Sequence, residues 1–298
     1  MPLVHGLAPI LATPFHSDGS LDLPSLRRVV EFNLLSGVDG LAVSGMASET
    51  FALTADERAR VLREVVDVVA GAVPVIAGVN ATSTTTAMEQ ARGASDDGAA
   101  ALMVLPPYMV KPTPAQVLDF YREVAAATEC EVMVQDAPGV TGVTLTPAAI
   151  AELSLIPGVT SVKVEAPPTP AKTTAVHEAV NNEEFTILGG LNAQFCLDEY
   201  ARGARGTMPA CEFPDLLRPI LDAWSAGRRR EAREGLAHLL PLVTHGLQQG
   251  WAWAVHKEVL WARGLISDTT VRSPARPLDT PTRTALYEVL APLGIAAP

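Results

Sequence analysis

The sequence predicts a (β/α)8 barrel, an α/β fold, followed by a C-terminal helical extension. Two observations predict it. Eight short apolar, β-branched runs recur at about 8–13, 39–44, 74–79, 100–105, 131–135, 159–164, 185–189 and 204–209, with helical stretches between them. The runs are mostly continuous rather than alternating, which suits parallel strands covered by helices, and eight such units close on themselves. On this count the barrel occupies 1–227 and the extension 228–298.

The helices announce their starts. Thr54-Ala55-Asp56-Glu57 leads into Val61, Leu62, Val65, Val66 and Val69, a three- and four-residue apolar spacing opened by a capping box. Thr113-Pro114, Thr146-Pro147, Thr169-Pro170 and Thr280-Pro281 read as further starts, with Thr capping and Pro at the first helical position. That habit absorbs part of the 24 prolines without a Pro-rich linker. Beyond the barrel, 228–248, 250–264 and 281–293 read as helices, with Trp251, Trp253 and Trp261 on the middle one as packing residues. They are expected to cover the barrel or a subunit interface.

Composition excludes several functions. A chain of 298 residues that is 48% hydrophobic and 18% charged is long and apolar enough to fold around a sizeable core. A formal charge of −11 leaves no basic stripe for nucleic acid or anionic membrane, and Arg228-Arg229-Arg230 is too short to change that. No apolar run is long enough to span a bilayer, and no basic segment precedes an apolar stretch at the N-terminus. Cys130, Cys196 and Cys211 are odd in number and share no metal-ligand spacing, so reduced thiols and a cytoplasmic location are expected. His5, His177, His238, His245 and His256 fall on helices or the N-terminal arm and His16 on a turn. None has ligand spacing, so no catalytic metal is expected.

In a barrel of this kind the chemistry collects where strands end. Lys163 lies in the run Thr160–Glu165, where an ammonium among apolar neighbours is costly to bury. Desolvation favours the neutral, nucleophilic form of an amine, which makes Lys163 a candidate for attack on a carbonyl carbon. A strand-end lysine that snorkels to solvent is the alternative on these residues alone. Glu165 stands two residues on, so both side chains point to one face of the strand. Glu165 is therefore a candidate for acid–base work beside the amine, or else half of a purely structural ion pair. The other ends are Ser44–Glu49, a small-residue turn whose amides suit a carboxylate, Pro106-Pro107-Tyr108, Gln135–Gly139, Gly189–Asn192 and Met208–Cys211.

In this order the strand ends resemble the dihydrodipicolinate synthase / N-acetylneuraminate lyase superfamily, and the resemblance covers nearly the whole chain. It is carried by Pro9–Phe15 with Asp18-Gly19-Ser20, Gly37–Leu41, Leu53-Thr54 with Asp56-Glu57-Arg58, and Val75–Val79. Pro107-Tyr108 with Lys111-Pro112-Thr113, Pro138-Gly139 with Thr141-Gly142-Val143, Lys163, and Lys257 with Gly264-Leu265-Ile266 continue it. The resemblance implies Lys163 as the Schiff-base residue and a homotetramer built from dimers. It implies a 2-keto acid as substrate, and no dissociable cofactor beyond the covalent imine.

The departures are informative. The usual Gly-Thr-Thr-Gly-Glu turn is Gly45-Met46-Ala47-Ser48-Glu49 here. The strand-five tyrosine of the proton relay is Gln135, the cross-subunit tyrosine is Met109, and the arginine of Pro-Gly-Arg-Thr-Gly is Val140. An amide cannot shuttle protons as a phenol does. Met133–Pro138, Lys163-Val164-Glu165, Ser48-Glu49 with Phe51–Leu53, and Phe213-Pro214-Asp215 with Arg218–Leu221 instead resemble the L-2-keto-3-deoxyarabonate dehydratase branch. That branch implies loss of water from a 2-keto-3-deoxy sugar acid, with Lys163, Glu165 and Gln135 at the chemistry and Ala47, Ser48, Tyr108, Asn192 and Cys211 around the substrate. A pyruvate-dependent aldolase or synthase with an altered proton relay is the first alternative. A non-catalytic keto-acid-binding paralogue is the second.

Overall fold

The computed structural model describes residues 2–296. Its eight parallel strands are β1 (Gly6–Leu7), β2 (Leu41–Val43), β3 (Val75–Val79), β4 (Ala101–Val104), β5 (Glu131–Asp136), β6 (Val159–Val164), β7 (Thr186–Gly189) and β8 (Gly206–Thr207). From β2 to β8 each strand neighbours the next in chain order, and β1 pairs with β8. Ile10 makes the remaining seam by bridging Ala42 on one side and Ala210 on the other. The fold is the (β/α)8 barrel that the apolar runs predict.

β1 lies just before its predicted run at 8–13, which joins the sheet only through bridges at Ile10, and β8 is shorter than its run; Pro9 and Pro209 have no N–H to give the ladder. Their carbonyls still accept, from the Ala42 and Ile10 amides respectively, both at 2.8 Å. Strand alternation divides the apolar residues into two cores. Ile76, Met103, Met133, Leu188 and Met208 fill the barrel interior. Leu102, Val134, Val162, Val164 and Ile187 face outward against the helices.

Thr54 forms the expected capping box with Glu57, Thr113 caps as expected and completes a second box with Gln116, and Thr146 caps onto the Ala149 amide. The other two Thr-Pro starts are displaced by one residue. Thr169 is itself the first residue of its helix and gives its hydroxyl to Glu199 Oε1. Thr280 likewise lies inside its helix, which Asp279 caps through the Thr282 amide at 2.8 Å.

The extension contains helices Arg229–His245, Ala252–Ala262 and Thr280–Leu290, each shorter than its predicted stretch. The segment between the last two is held by Arg272. Its guanidinium forks onto both Glu57 oxygens at 2.6 and 2.8 Å, donates to the Gly19 carbonyl, and stands 4.2 Å from the centre of the Phe15 ring. No helix among the described residues is long and apolar enough to cross a membrane.

Candidate active site

Alternation along β6 turns Val162 and Val164 outward and Lys163 inward, with Glu165 on the same side just past the strand. Lys163 is only 1% exposed, so the expected burial of an amine is realised. It does not snorkel. Its Nζ lies 3.1 Å from Glu165 Oε1. Register sets Gln135 of β5 opposite Lys163. From there the Gln135 amide donates to Glu165 Oε2 at 2.7 Å. Glu165 Oε1 also accepts the Leu191 N–H at 3.3 Å. Both carboxylate oxygens are therefore engaged.

The Leu191 donor comes from a strained turn. Leu191, Asn192 and Ala193 all have positive φ, between 45° and 62°, which is uncommon for non-glycine residues and is held only by surrounding structure. Asn192 supplies that support: its Oδ1 accepts the Ala210 N–H at 2.9 Å and its Nδ2 donates to the Val243 carbonyl at 3.2 Å. Gly190 lets the turn pass close by, since a Cβ there would sit 2.2 Å from Glu165 Cγ.

The strand-two turn is built similarly. Ser44 and Glu49 bracket it with φ of 56° and 55°, and Met46–Ser48 form a single 3-10 turn. Ala47 lines the cavity, while Ser48 does not. The Ser48 hydroxyl donates to the Leu11 carbonyl at 2.6 Å, and its own carbonyl accepts from the Thr13 hydroxyl at 2.7 Å. Ser48 fastens the turn to the chain just beyond β1 instead of presenting a donor to substrate.

The cavity has a volume of about 300 Å³ and is walled by Lys163, Glu165, Ala47, Asn192, Trp253 and His256, among others. A space of about 350 Å³ between helices Ala55–Val69 and Thr84–Asp96 contains neither Lys163 nor Glu165. Besides Ser48, three expected site residues do not line the cavity. Gln135, expected at the chemistry, is fully buried and gives its amide N–H to Glu165. Cys211 follows the inward Ala210 and so falls on the outer face, where its Sγ accepts the Ala12 N–H and burial pushes the thiol up. Tyr108 stands beyond the end of β4, where strand periodicity no longer sets its direction, and does not line the cavity.

Two lining residues went unread in the sequence. Trp253 and His256 come from helix Ala252–Ala262, and both reach the cavity. The signal was there: Ala254-Val255-His256-Lys257-Glu258-Val259-Leu260 buries three polar residues in succession inside an apolar helix. Lys257 is a second buried lysine, lowered toward about 8 by burial. It is not the site amine, because Glu49 lies 2.5 Å away, the Thr270 carbonyl takes a hydrogen bond at 2.7 Å, and the Phe15 ring is 4.0 Å off. Among the described residues no three His, Cys, Asp or Glu side chains are grouped to hold a metal ion.

A family model described as the dihydrodipicolinate synthetase family matches residues 3–292. The chain belongs to that family. Its family is one of lyases. Among its relatives, this dihydrodipicolinate synthetase-family chain is 34% identical to L-2-keto-3-deoxyarabonate dehydratase from Azospirillum brasilense, over 97% of this chain and 94% of the relative. It is 32% identical to 4-hydroxy-tetrahydrodipicolinate synthase from Methylococcus capsulatus, over 98% of this chain and all of that one. The dihydrodipicolinate synthase of Rhodopseudomonas palustris superposes with a TM-score of 0.91 at 30% identity, covering 98% of each chain.

Proposed function

We propose that this enzyme removes water from a 2-keto-3-deoxy sugar acid of the L-2-keto-3-deoxyarabonate type, through a Schiff base on Lys163. One observation carries the reading. The amine lies 3.1 Å from a carboxylate whose other oxygen is held by the Gln135 amide, with no phenol in that position. Aldol cleavage by the family's phenol relay takes the C4 hydroxyl proton at the position that Gln135 fills here, and an amide donating its N–H is not a base for it. Dehydration needs that hydroxyl to depart instead. The similarity to the Azospirillum dehydratase points the same way.

The steps follow from the residues. Lys163 Nζ adds to the C2 ketone and expels water, giving an iminium that draws electrons from C3. Loss of a C3 proton gives the enamine. The enamine expels the C4 hydroxyl, which leaves as water with a proton supplied by the site. Hydrolysis frees Lys163, and tautomerisation gives a dioxo acid. Glu165 takes and returns the amine's proton, and Gln135 fixes the orientation of Glu165. Met46 and Ala47 open a 3-10 turn and their amides have no partner inside it, which suits them to the substrate carboxylate. No dissociable cofactor enters the scheme, the location is the cytoplasm, and the assembly is a homotetramer of two dimers. Exposed Met109 and Val110 suit a subunit contact.

The second reading is carbon–carbon lyase or synthase chemistry on pyruvate, favoured by the similarity to the Methylococcus synthase. Incubation with L-2-keto-3-deoxyarabonate decides. Under borohydride, a mass increment mapping to Lys163 supports the Schiff base. Without borohydride, a dioxo acid supports dehydration, and pyruvate with an aldehyde fragment supports the second reading. If Lys163→Ala retains binding while wild type shows no turnover, a non-catalytic keto-acid binder is left.

A further inference from the structure

The scheme above leaves one proton without an owner. Glu165 is already assigned the amine's proton, with both its oxygens engaged by Lys163, Gln135 and the Leu191 N–H, and Gln135 is not a base, so the substrate's C3 proton calls for a further group. His256 lines the same cavity as Lys163 and Glu165. Its ring is 4% exposed, and its Nδ1 lies 2.7 Å from Oε1 of Glu212, a fully buried carboxylate. Glu212 follows β8, so barrel and extension each contribute one member of the pair. Among the described residues the second ring nitrogen, Nε2, has no hydrogen-bond partner, and neither does Glu212 Oε2.

The ring is placed by close packing. A Cβ at Gly246 would lie 2.8 Å from His256 Cε1 and 2.7 Å from Asn192 Nδ2, so the glycine lets one loop lie across both. Asn192 in turn adjoins Leu191, whose N–H holds Glu165. A path of packed groups thus runs from His256 through Gly246, Asn192, Leu191 and Glu165 to Lys163. Of the titratable groups around it, Glu212 touches it, Lys163 and Glu165 share its cavity, and the loop Gly246–Gly250 contributes only glycine, leucine and glutamine.

We infer that His256 is the catalytic acid–base residue for the substrate, with Glu212 as its positioning residue. The inference rests on the Schiff-base reading of Lys163 and not on which bond finally breaks. A buried carboxylate accepting from Nδ1–H keeps the proton there and leaves Nε2 with a lone pair, and it balances the imidazolium that forms. Nε2 takes the C3 proton of the iminium. The C–H electron pair becomes the C2–C3 double bond, and the iminium π pair returns to nitrogen. With a hydroxyl on C4, the nitrogen lone pair re-forms the imine, the C2–C3 pair moves to C3–C4, and the C4–O bond breaks. The imidazolium returns its proton to the departing hydroxide, so water leaves and His256 is neutral again.

The test uses pyruvate, whose C3 is its methyl group, with the full-length protein in deuterium oxide. Methyl deuteration is followed by proton magnetic resonance, and borohydride trapping on Lys163 by intact mass. Wild type is expected to do both. No wild-type adduct overturns the Schiff-base reading itself. His256→Asn is expected to keep the adduct while exchange falls about 100-fold or more. Exchange within about threefold of wild type in that variant, with the adduct formed, overturns the assignment. So does joint loss of adduct and exchange in a folded variant, because His256 would then be supporting Lys163. Glu212→Gln is expected to keep the adduct and displace the acid limb of the exchange-rate profile, which a merely structural glutamate does not do. If neither variant folds, His256→Gln, which keeps a hydrogen-bond donor toward Glu212, is read by the same two measurements, and exchange within about threefold of wild type with the adduct formed overturns the assignment.

Discussion

The indole N–H of Trp253 donates to the carbonyl oxygen of Met46 at 2.6 Å, joining the extension directly to the strand-two turn. Phe51 packs edge-on against the same indole, with ring centroids 4.9 Å apart. The turn proposed to hold the substrate carboxylate is thus set from outside the barrel as well as from β2. Trp253→Phe keeps an aromatic ring and removes the donor, leaving the Met46 carbonyl with the Glu49 N–H at 3.2 Å alone, at a cost of about 0.5–1.5 kcal/mol. The KM for the keto acid should rise by up to about tenfold while trapping on Lys163 continues. Steady-state kinetics with the substrate established by the product assay measure this.

Glu49 and Lys257 make a second join in the same region, 2.5 Å apart and almost wholly buried. Removing one member leaves a buried charge without its partner, which costs about 3–5 kcal/mol. Lys257→Met should therefore lower stability by that order in urea unfolding. Lys257→Met combined with Glu49→Leu should lose clearly less than the two single losses added together. Additive losses would mean that the two residues do not act as a pair.

Glu165→Gln keeps the shape of the site and removes the group proposed to manage the amine's proton. Adduct formation on Lys163 should persist, and turnover should fall about 10²–10⁴-fold. Trapping and turnover measured on the same preparation separate the two effects. Full turnover would remove Glu165 from the mechanism.

Glu199 makes a pH-dependent contribution of unusual sign. Burial pushes its carboxyl up to about 7, only partly opposed by the Thr169 hydroxyl. The native state therefore holds this proton more tightly than the unfolded chain, whose carboxyl titrates near 4.5. Stability from this group is fully present below about pH 4.5, declines between there and about pH 7, and is level above. Glu199→Gln should abolish that decline. Urea unfolding at pH 5 and pH 8 should show wild type losing up to roughly 3 kcal/mol more than the variant between the two.

Much of this architecture is legible in the sequence because it depends on period and on chain ends. Continuous apolar runs mark buried parallel strands, and the two-residue spacing of Lys163 and Glu165 puts both in one interior. Parity also determines Cys211: with Ala210 inward, its neighbour must face out, and reading the strand end as a cluster overlooked that. Ser48 offers a hydroxyl to a substrate, but a hydroxyl in a tight turn finds the nearest carbonyl first, here that of Leu11. Tyr108 lies past the strand, where no period applies. His256 and Trp253 enter only through packing of a distant helix onto the barrel, a long-range contact that local pattern does not carry. Thr169 and Thr280 show the one-residue uncertainty of helix starts, since a Thr-Pro step reads equally as cap-then-first or as first-then-second.

Helix Ala252–Ala262 assigns three successive side chains to separate partners: His256 to Glu212, Lys257 to Glu49, and Glu258 to Tyr287 and Arg283. Each added or deleted residue turns the remainder of an α-helix by about 100°. A single insertion upstream of His256 within this helix would therefore misdirect all three at once, burying charges against apolar neighbours and emptying one wall of the cavity. Length variation is tolerable in the loops on either side of the helix and not within it. The extension is in this sense indexed to the barrel, residue by residue, and cannot drift independently of the site it helps to enclose.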